Sequence, residues 1–329
     1  MTTQDNRPKA FQEPDFETLL SEYIDFAVEH CAASDKEKAA YLQEALTNDS
    51  ELLAQVLQAL ALKYIADTRE KNYWALQMFR KFVTETEMVD LLAMQYNLKR
   101  QVLQVKDDSV FPPKPAVLES NDDLLQRFDL APYQFHTTGT RLGYRFHALT
   151  LDERPAIKIE SEEDAVVVRY EFPKAVQPAL VKDAQARMTE PNSGKVSVAI
   201  LSRETANGVP SAALLERASK YLNRDDIAQE SDEITTKAAR LKPYKINVVL
   251  YTGANPNNHI TQAQAQKTAA EFAERKHRFE EVIDVEEIGH EFYKLGVKRV
   301  KVLEPAADVV CQWDEAPYCS EVIIDVRAE

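Results

Sequence analysis

Apolar residues recur every three or four positions through the first hundred residues and then change period. Phe16, Leu19, Leu20, Tyr23, Ile24, Ala27 and Val28 follow Pro14-Asp15 and predict an amphipathic helix to about Cys31. Ser34-Asp-Lys-Glu37 has the spacing of a capping box and opens a second helix through Tyr41, Leu42 and Leu46. Asn48-Asp-Ser-Glu51 repeats that spacing ahead of a longer helix carrying Leu52, Leu53, Val56, Leu57, Leu60, Tyr64 and Ile65. The pattern continues or bends into Tyr73, Trp74, Leu76, Met78, Phe79, Phe82 and Val83, and a fourth segment, Glu87 to Leu98, adds Met88, Leu91, Leu92, Met94 and Tyr96. This is more aromatic and methionine surface than one docking face requires. It suits a bundle that takes in helices from other subunits; packing wholly within the chain is the plainer alternative. The polar residues 1–10 are expected to stay extended or unordered until a partner orders them.

The helical period stops at Val105 to Leu118, where Lys106-Asp-Asp-Ser-Val-Phe-Pro-Pro-Lys-Pro-Ala116 reads as a proline-stiffened, extended linker. A helix capped by Ser120 or Asn121 and carrying Leu124, Leu125 and Phe128 should end before Pro132. Gly139 and Gly143 interrupt the next stretch, and Tyr144 to Leu149 is short and apolar. Ala156 to Glu160 and Ala165 to Phe172 alternate as a hairpin around Ser161-Glu-Glu-Asp164, and Pro173 to Met188 is ambiguous.

Beyond residue 190 strands and helices alternate. Lys195 to Leu201 puts Val196, Val198 and Ile200 on one face of a half-buried strand. Pro210-Ser211 opens a helix bearing Leu214, Leu215, Ala218 and Leu222. Glu233 to Arg240 and Tyr244 to Tyr251 follow as strands, Thr261 opens a helix to about Phe279, and a short helical turn spans Val285 to Leu295. Gly296 to Leu303, stopped by Pro305, and Ala316 to Val326 close the chain as strands rich in β-branched residues. This order predicts an α+β chain: an N-terminal helical segment, a linker with an inserted β-hairpin, and a C-terminal ferredoxin-like α/β sandwich. The expected domains are 1–104 (helical), 105–150 (linker and hinge helix), 151–190 (hairpin arm) and 191–329 (α/β).

Composition narrows the function. A formal charge of −14 repels a phosphate backbone or an anionic lipid surface, so neither nucleic acid nor membrane is expected as the main partner. Three cysteines, Cys31, Cys311 and Cys319, are too few for a disulfide framework, and Cys311 and Cys319 are expected as core thiols. The first residues lack the apolar run of a signal peptide, and no segment has the length of a membrane span.

Catalytic patterns are missing. Neither the Walker loop nor the dinucleotide-binding glycine turn occurs, and Ser193-Gly194 lacks a nucleophile elbow. His290 lies near Glu286, Glu287 and Glu291, but Lys294 stands where a second helical histidine would complete a metal pair. His136, His147 and Arg141 surround Gly139 and Gly143 without a nucleophile or a carboxylate in register, which reads as a polar hinge. No catalytic, cofactor or metal residue is expected. The strands also lack the aromatic and basic core of RNA-binding sheets.

The run Val302-Leu-Glu-Pro-Ala-Ala-Asp-Val-Val310, then Gln312 and Ala316-Pro-Tyr-Cys-Ser320, resembles the C-terminal signature of the Baseplate J-like family. Glu13 to Glu17, Asp122 to Pro132, Thr137-Thr-Gly139 with Phe146 to Leu149, and Ser202-Arg203 match in the same order, so the likeness covers nearly the whole chain. The hairpin at 155–190 departs from the family, whose members pass more directly to the α/β domain; it is expected to be an added arm that touches a neighbouring subunit. The resemblance implies a structural baseplate wedge protein of a contractile tail, from a phage or a tailocin. It would be assembled in the bacterial cytoplasm and act in the virion baseplate without a cofactor. Its implied partners are a second copy of itself in each wedge of a six-fold ring, a companion wedge protein resembling baseplate protein I, a sheath-initiating wedge protein, and tube or hub proteins. It implies that the ring around the tube transmits the trigger for sheath contraction. Phe16, Leu20, Tyr23, Leu53, Leu57, Leu60, Trp74, Phe79 and Leu91 are the residues expected at the bundle interface. An oligomeric scaffold outside any tail stays open, as does an enzyme, which requires a pocket of converging titratable groups.

Overall fold

The computed structural model describes residues 8–136, 139–161, 164–171, 178–253 and 260–328. The chain divides into two compact units, residues 1–99 and 100–329.

The first unit is helical. α1 (Phe16–Ala32), α2 (Lys36–Thr47) and α3 (Leu52–Gln77) pack on one another, and α4 (Thr86–Ala93) ends in a short 3-10 turn. Asp15 caps α1 by accepting from the Thr18 N–H. The two expected capping boxes do not form. Asp35, not Ser34, caps α2, its carboxylate accepting from the Glu37 and Lys38 N–H groups, while Ser34 Oγ donates to the Cys31 carbonyl. α3 starts after Glu51 without a side-chain cap, because Asn48 Oδ1 is engaged by the Ser50 N–H in a local turn. An aspartate two residues ahead of the first free N–H groups fits both of them, and its charge suits the helix start.

α3 runs unbroken to Gln77, and two buried amides on it fasten neighbouring segments of the unit. Asn72 Oδ1 accepts from the Phe11 N–H (2.8 Å) and its Nδ2 donates to the Phe11 carbonyl (2.9 Å). Gln77 Oε1 accepts from the N–H groups of Thr84 (2.7 Å) and Glu85 (3.1 Å), fixing the turn that enters α4.

In the second unit the proline-rich stretch does not run on as an extended linker. β1 (Val102–Gln104) and β2 (Val117–Leu118) pair antiparallel, Asp107 and Lys114 exchange backbone hydrogen bonds, and Phe111 stands near the tip. α5 (Asn121–Leu130), capped by Ser120, and α6 (Arg141–Leu149) follow. Gly139 sits at φ +61°, where a Cβ would collide with the Asp232 carboxylate and the Tyr144 hydroxyl, so glycine is needed there. β3 (Ala156–Ser161) and β4 (Val166–Glu171) form the expected hairpin.

The remaining strands do not assemble as the ferredoxin-like sandwich expected from their order. β5 (Val181–Met188), β6 (Lys195–Ser202) and β7 (Glu233–Ala238) form one three-stranded sheet, with α7 (Ala212–Leu222) crossing between the parallel pair β6 and β7. β8 (Arg240–Thr252) lies at the centre of another, antiparallel to β10 (Arg299–Glu304) and parallel to β12 (Glu315–Ala328). Between them come α8 (Gln262–Lys276), the short strand β9 (Val282–Ile283), α9 (Val285–Tyr293), and β11 (Val309–Val310), which pairs with β9.

The reason is a change of partner within one residue. The Ala239 N–H donates to the Ile200 carbonyl of β6, whereas the Arg240 N–H donates to the Asp314 carbonyl at the start of β12. The buried Asp314 carboxylate holds the switch by accepting from Lys237 Nζ (2.7 Å) and from Arg240 Nε (3.0 Å) and Nη2 (2.8 Å). These donors hold its carboxyl below the usual range against the upward push of burial.

Tyr244, Ile246, Val248 and Leu250 alternate along β8 into a core with Ala265, Ala269 and Phe272 of α8, Ile288 and Phe292 of α9, and Ile324 of β12. β6 is buried on both faces, not on one, because Ser197 and Ala199 are small enough to be covered as well.

Charged side chains tie α5 and α6 to these sheets. Arg127 and Glu119 are almost wholly buried and form a two-pronged pair at 2.8 Å and 2.8 Å, with Glu153 on the remaining guanidinium edge. Asp183, fully buried on β5, accepts from Arg145 Nη2 of α6 (2.9 Å), the Ala184 N–H (2.8 Å) and the Phe279 N–H (3.0 Å). Asp123 of α5 meets Arg203 and Arg278. The segment read as a hinge at 105–150 is thus fastened within the second unit from residue 119 onward.

Two outcomes follow for this unit. Replacing Arg127 by Met strands the Glu119 charge and is expected to cost about 3–5 kcal/mol in denaturant unfolding, whereas the double change with Glu119→Leu costs distinctly less. His147, buried beside Arg154 and Arg224, has its pKa pushed down to about 4, first by burial and then by those guanidiniums. The unfolded chain therefore binds a proton between about pH 6.5 and 4 that the folded chain refuses, so stability falls as pH drops through that window. Unfolding free energies at pH 7 and pH 5 should differ by about 2 kcal/mol more in the parent protein than in His147→Gln. His277, also pushed down to about 4 by burial and by Lys182, acts in the same direction.

Candidate assembly surfaces

α3 carries two apolar stripes about a third of a turn apart. One, through Ala54, Ala61 and Ile65, is buried, and Leu19, Phe16 and Tyr23 of α1 cover it. The other, through Leu53, Val56, Leu60 and Tyr64, remains in water. The other helices of this small unit cover one stripe of α3 and not both.

Of the nine residues expected at an interface, Phe16 and Tyr23 therefore belong partly to the internal seam. Leu20 and Leu57 are half-buried. Leu53, Leu60, Trp74, Phe79 (60%) and Leu91 (57%) are exposed. Around the last three, Met78, Met94 and Tyr73 are exposed too, and the Tyr73 and Trp74 rings meet edge to face at 5.3 Å. Sequence reasoning passed over Phe26, which is 72% exposed and stacks on His30 among Glu22, Asp25 and Glu29. Its position on the polar side of α1 was the available signal.

Half of the large apolar side chains exposed among the described residues lie in the first 99 positions, less than a third of the chain. Of the fifteen in the second unit, eight lie on its two hairpins and the rest are scattered. Phe111 is 98% exposed, and Val166, Val168 and Tyr170 lie along one face of β4 in water. The base of that hairpin is anchored by Arg224, which donates to the carbonyls of Arg154 (3.3 Å) and Pro155 (2.8 Å).

The second unit offers little converging chemistry. A shallow open groove beside α7 is lined by Asp152, Glu216, Arg217, Lys220, Tyr221 and Arg224. Its charges are already matched, Arg217 with Asp152, Lys220 with Glu216 at 2.7 Å, and Arg224 with Asp226 at 2.8 Å. His136 is exposed and stacks on Tyr133, while His147 is buried, so the two do not share a pocket. His290 is exposed on α9, and no group of metal-ligating side chains occurs among the described residues. Cys311 and Cys319 are free thiols. Cys311 is buried and its pKa is pushed up to about 11 by that burial; Cys319 is half-buried. No helix among the described residues is long and apolar enough to cross a membrane.

Among the described residues of this mixed α+β chain, half of the exposed large apolar side chains thus lie on the helical unit. No family model matches the sequence. It is similar to baseplate protein J of Escherichia phage P2, with 27% identity over 314 residues, which span 95% of this chain and 93% of that protein. That likeness supports the resemblance to the baseplate J-like family read from the sequence.

The two stripes of α3 should respond differently to substitution. Ile65→Ala, on the covered side, is expected to cost about 2–4 kcal/mol. Leu60→Ser, on the open side, should change unfolding free energy by less than about 0.5 kcal/mol. Denaturant titrations followed by circular dichroism would compare them.

Proposed function

We propose that this protein is a structural baseplate wedge subunit of a contractile tail, in a phage or a tailocin. Its helical unit joins a bundle with helices of other baseplate proteins, and its α/β unit links wedges into the ring around the tube. Through that ring it passes on the trigger for sheath contraction. In this reading the partners are a second copy of the chain, a companion wedge protein resembling baseplate protein I, a sheath-initiating wedge protein, and tube or hub proteins. The β3–β4 hairpin is an arm that reaches a neighbouring subunit.

The observation that carries the reading is the uncovered apolar surface of the first unit, displayed by a chain that resembles a phage baseplate protein over nearly its whole length. A surface of this extent on a small helical unit marks a contact with other protein. A role in mechanical coupling accords with it, because coupling needs extensive contacts and no reactive centre. An oligomeric scaffold outside a tail would use the same surface, and the likeness to the phage P2 protein favours the baseplate.

Leu60→Asp combined with Phe79→Asp places two charges on exposed positions where the fold can solvate them. On co-expression with the neighbouring tail genes, this variant is expected to lose its co-purifying baseplate components while its unfolding profile stays near that of the parent. Normal wedges from that variant, seen by negative-stain microscopy, would sink the bundle assignment.

A further inference from the structure

β10 and its approach run against the charge of the chain. From Lys294 to Lys301 four cations occur in eight residues with no carboxylate between them, although the chain as a whole carries a formal charge of −14. Lys294 meets Glu291 at 2.9 Å, and the Arg299 guanidinium lies over the Tyr251 ring at 4.0 Å. Lys298 and Lys301 are exposed and take part in no ion pair among the described residues. The carboxylates of the neighbouring strands are already matched, Asp325 by Arg327 (2.6 Å) and Glu321 by Lys245 (2.7 Å), and Glu304 stands at the far end of β10.

β10 is also an edge strand. It pairs with β8 alone, in the order β10-β8-β12, and its Val300 N–H donates to the Tyr293 hydroxyl (3.3 Å). Successive side chains of a strand point to opposite faces of the sheet. Arg299, Lys301 and Leu303 are exposed on one face, whereas Val300 and Val302 are half-buried against the core of β8, α8 and α9 on the other.

We infer that the free edge of β10 receives an extended acidic segment of another protein, added to the sheet as one more strand. Strand addition supplies main-chain hydrogen bonds, and the flanking side chains select the sequence. Residues of the incoming strand alternate between two surroundings: one set comes beside Arg299 and Lys301, the other beside Val300 and Val302. Acidic and apolar residues in alternation satisfy both. A second copy's β10 is a poor occupant, because like charges would face each other across the pair, and lysines on a free edge guard against that pairing. A nucleic acid would meet the negative charge of the rest of the chain, which a short strand does not. The contact uses neither the helical surface nor the β3–β4 arm, so its failure leaves the proposed function standing.

The test titrates the full chain into a fluorescein-labelled peptide of alternating glutamate and valine, followed by fluorescence anisotropy. Saturable binding is expected, weakening as sodium chloride is raised. The double variant Lys298→Glu, Lys301→Glu should bind about tenfold more weakly or worse, and a peptide of alternating lysine and valine should not bind. Because both lysines are exposed, the variant's unfolding profile should match that of the parent. Hydrogen exchange read by mass spectrometry should slow across residues 298–304 when the acidic peptide is bound. No binding, equal binding by the double variant, unchanged exchange at β10, or tighter binding of an oligothymidylate than of the peptide would overturn the inference.

Discussion

Apolar surface must be covered, and the two units meet this requirement differently. In the second, β8 is flanked by two strands and roofed by α8 and α9, so its alternating Tyr244, Ile246, Val248 and Leu250 are buried by the chain itself. In the first, the longest helix has a covered side and an uncovered side, and the neighbours available to it are used up on one. The remaining features of the helical unit follow from that shortage. Its N-terminal segment is fastened by Asn72 and the turn into α4 by Gln77, and neither residue belongs to the open stripe.

The second unit is held by charge as much as by apolar packing. Arg127 with Glu119, Asp183 with Arg145, and Asp314 with Lys237 and Arg240 each place a carboxylate where burial would otherwise be costly. Buried pairs of this kind add little net stability against an apolar replacement, yet they tolerate few arrangements, because a partner lost is a charge left unpaired. Asp314 shows the consequence. The strand that begins beside β6 leaves it at Ala239, and the carboxylate on the incoming β12 receives the two cations that flank the departure point.

The uncovered surfaces stand on regular elements. The helical ridge lies on a 26-residue helix, and the β3–β4 hairpin is held at its base by Arg224. The two units thus divide the chain: one leaves apolar surface open on its longest helix, and the other fixes the relation between its strands and the base of the β3–β4 hairpin.

The sequence by itself determined the elements. Helical spacing from Phe16 to Leu98, the Ser120, Ser211 and Thr261 caps, the hairpin at 156–171 and the β-branched closing strands can each be read from residues within a turn or a strand of one another. So could the excess of apolar side chains in the first unit, and the resemblance to a baseplate family. What only the tertiary structure decided was choice among partners. Asp35 outcompeted Ser34 for the start of α2 by a difference of one residue in reach. The strands near Ala239 divided between two sheets because of an aspartate 75 positions further on, and Phe16 and Tyr23 turned inward while Leu60 and Trp74 did not. Local propensity comes from neighbours in sequence, but burial and pairing are set by neighbours in space, and a periodic stripe looks the same whether its cover lies in this chain or in another.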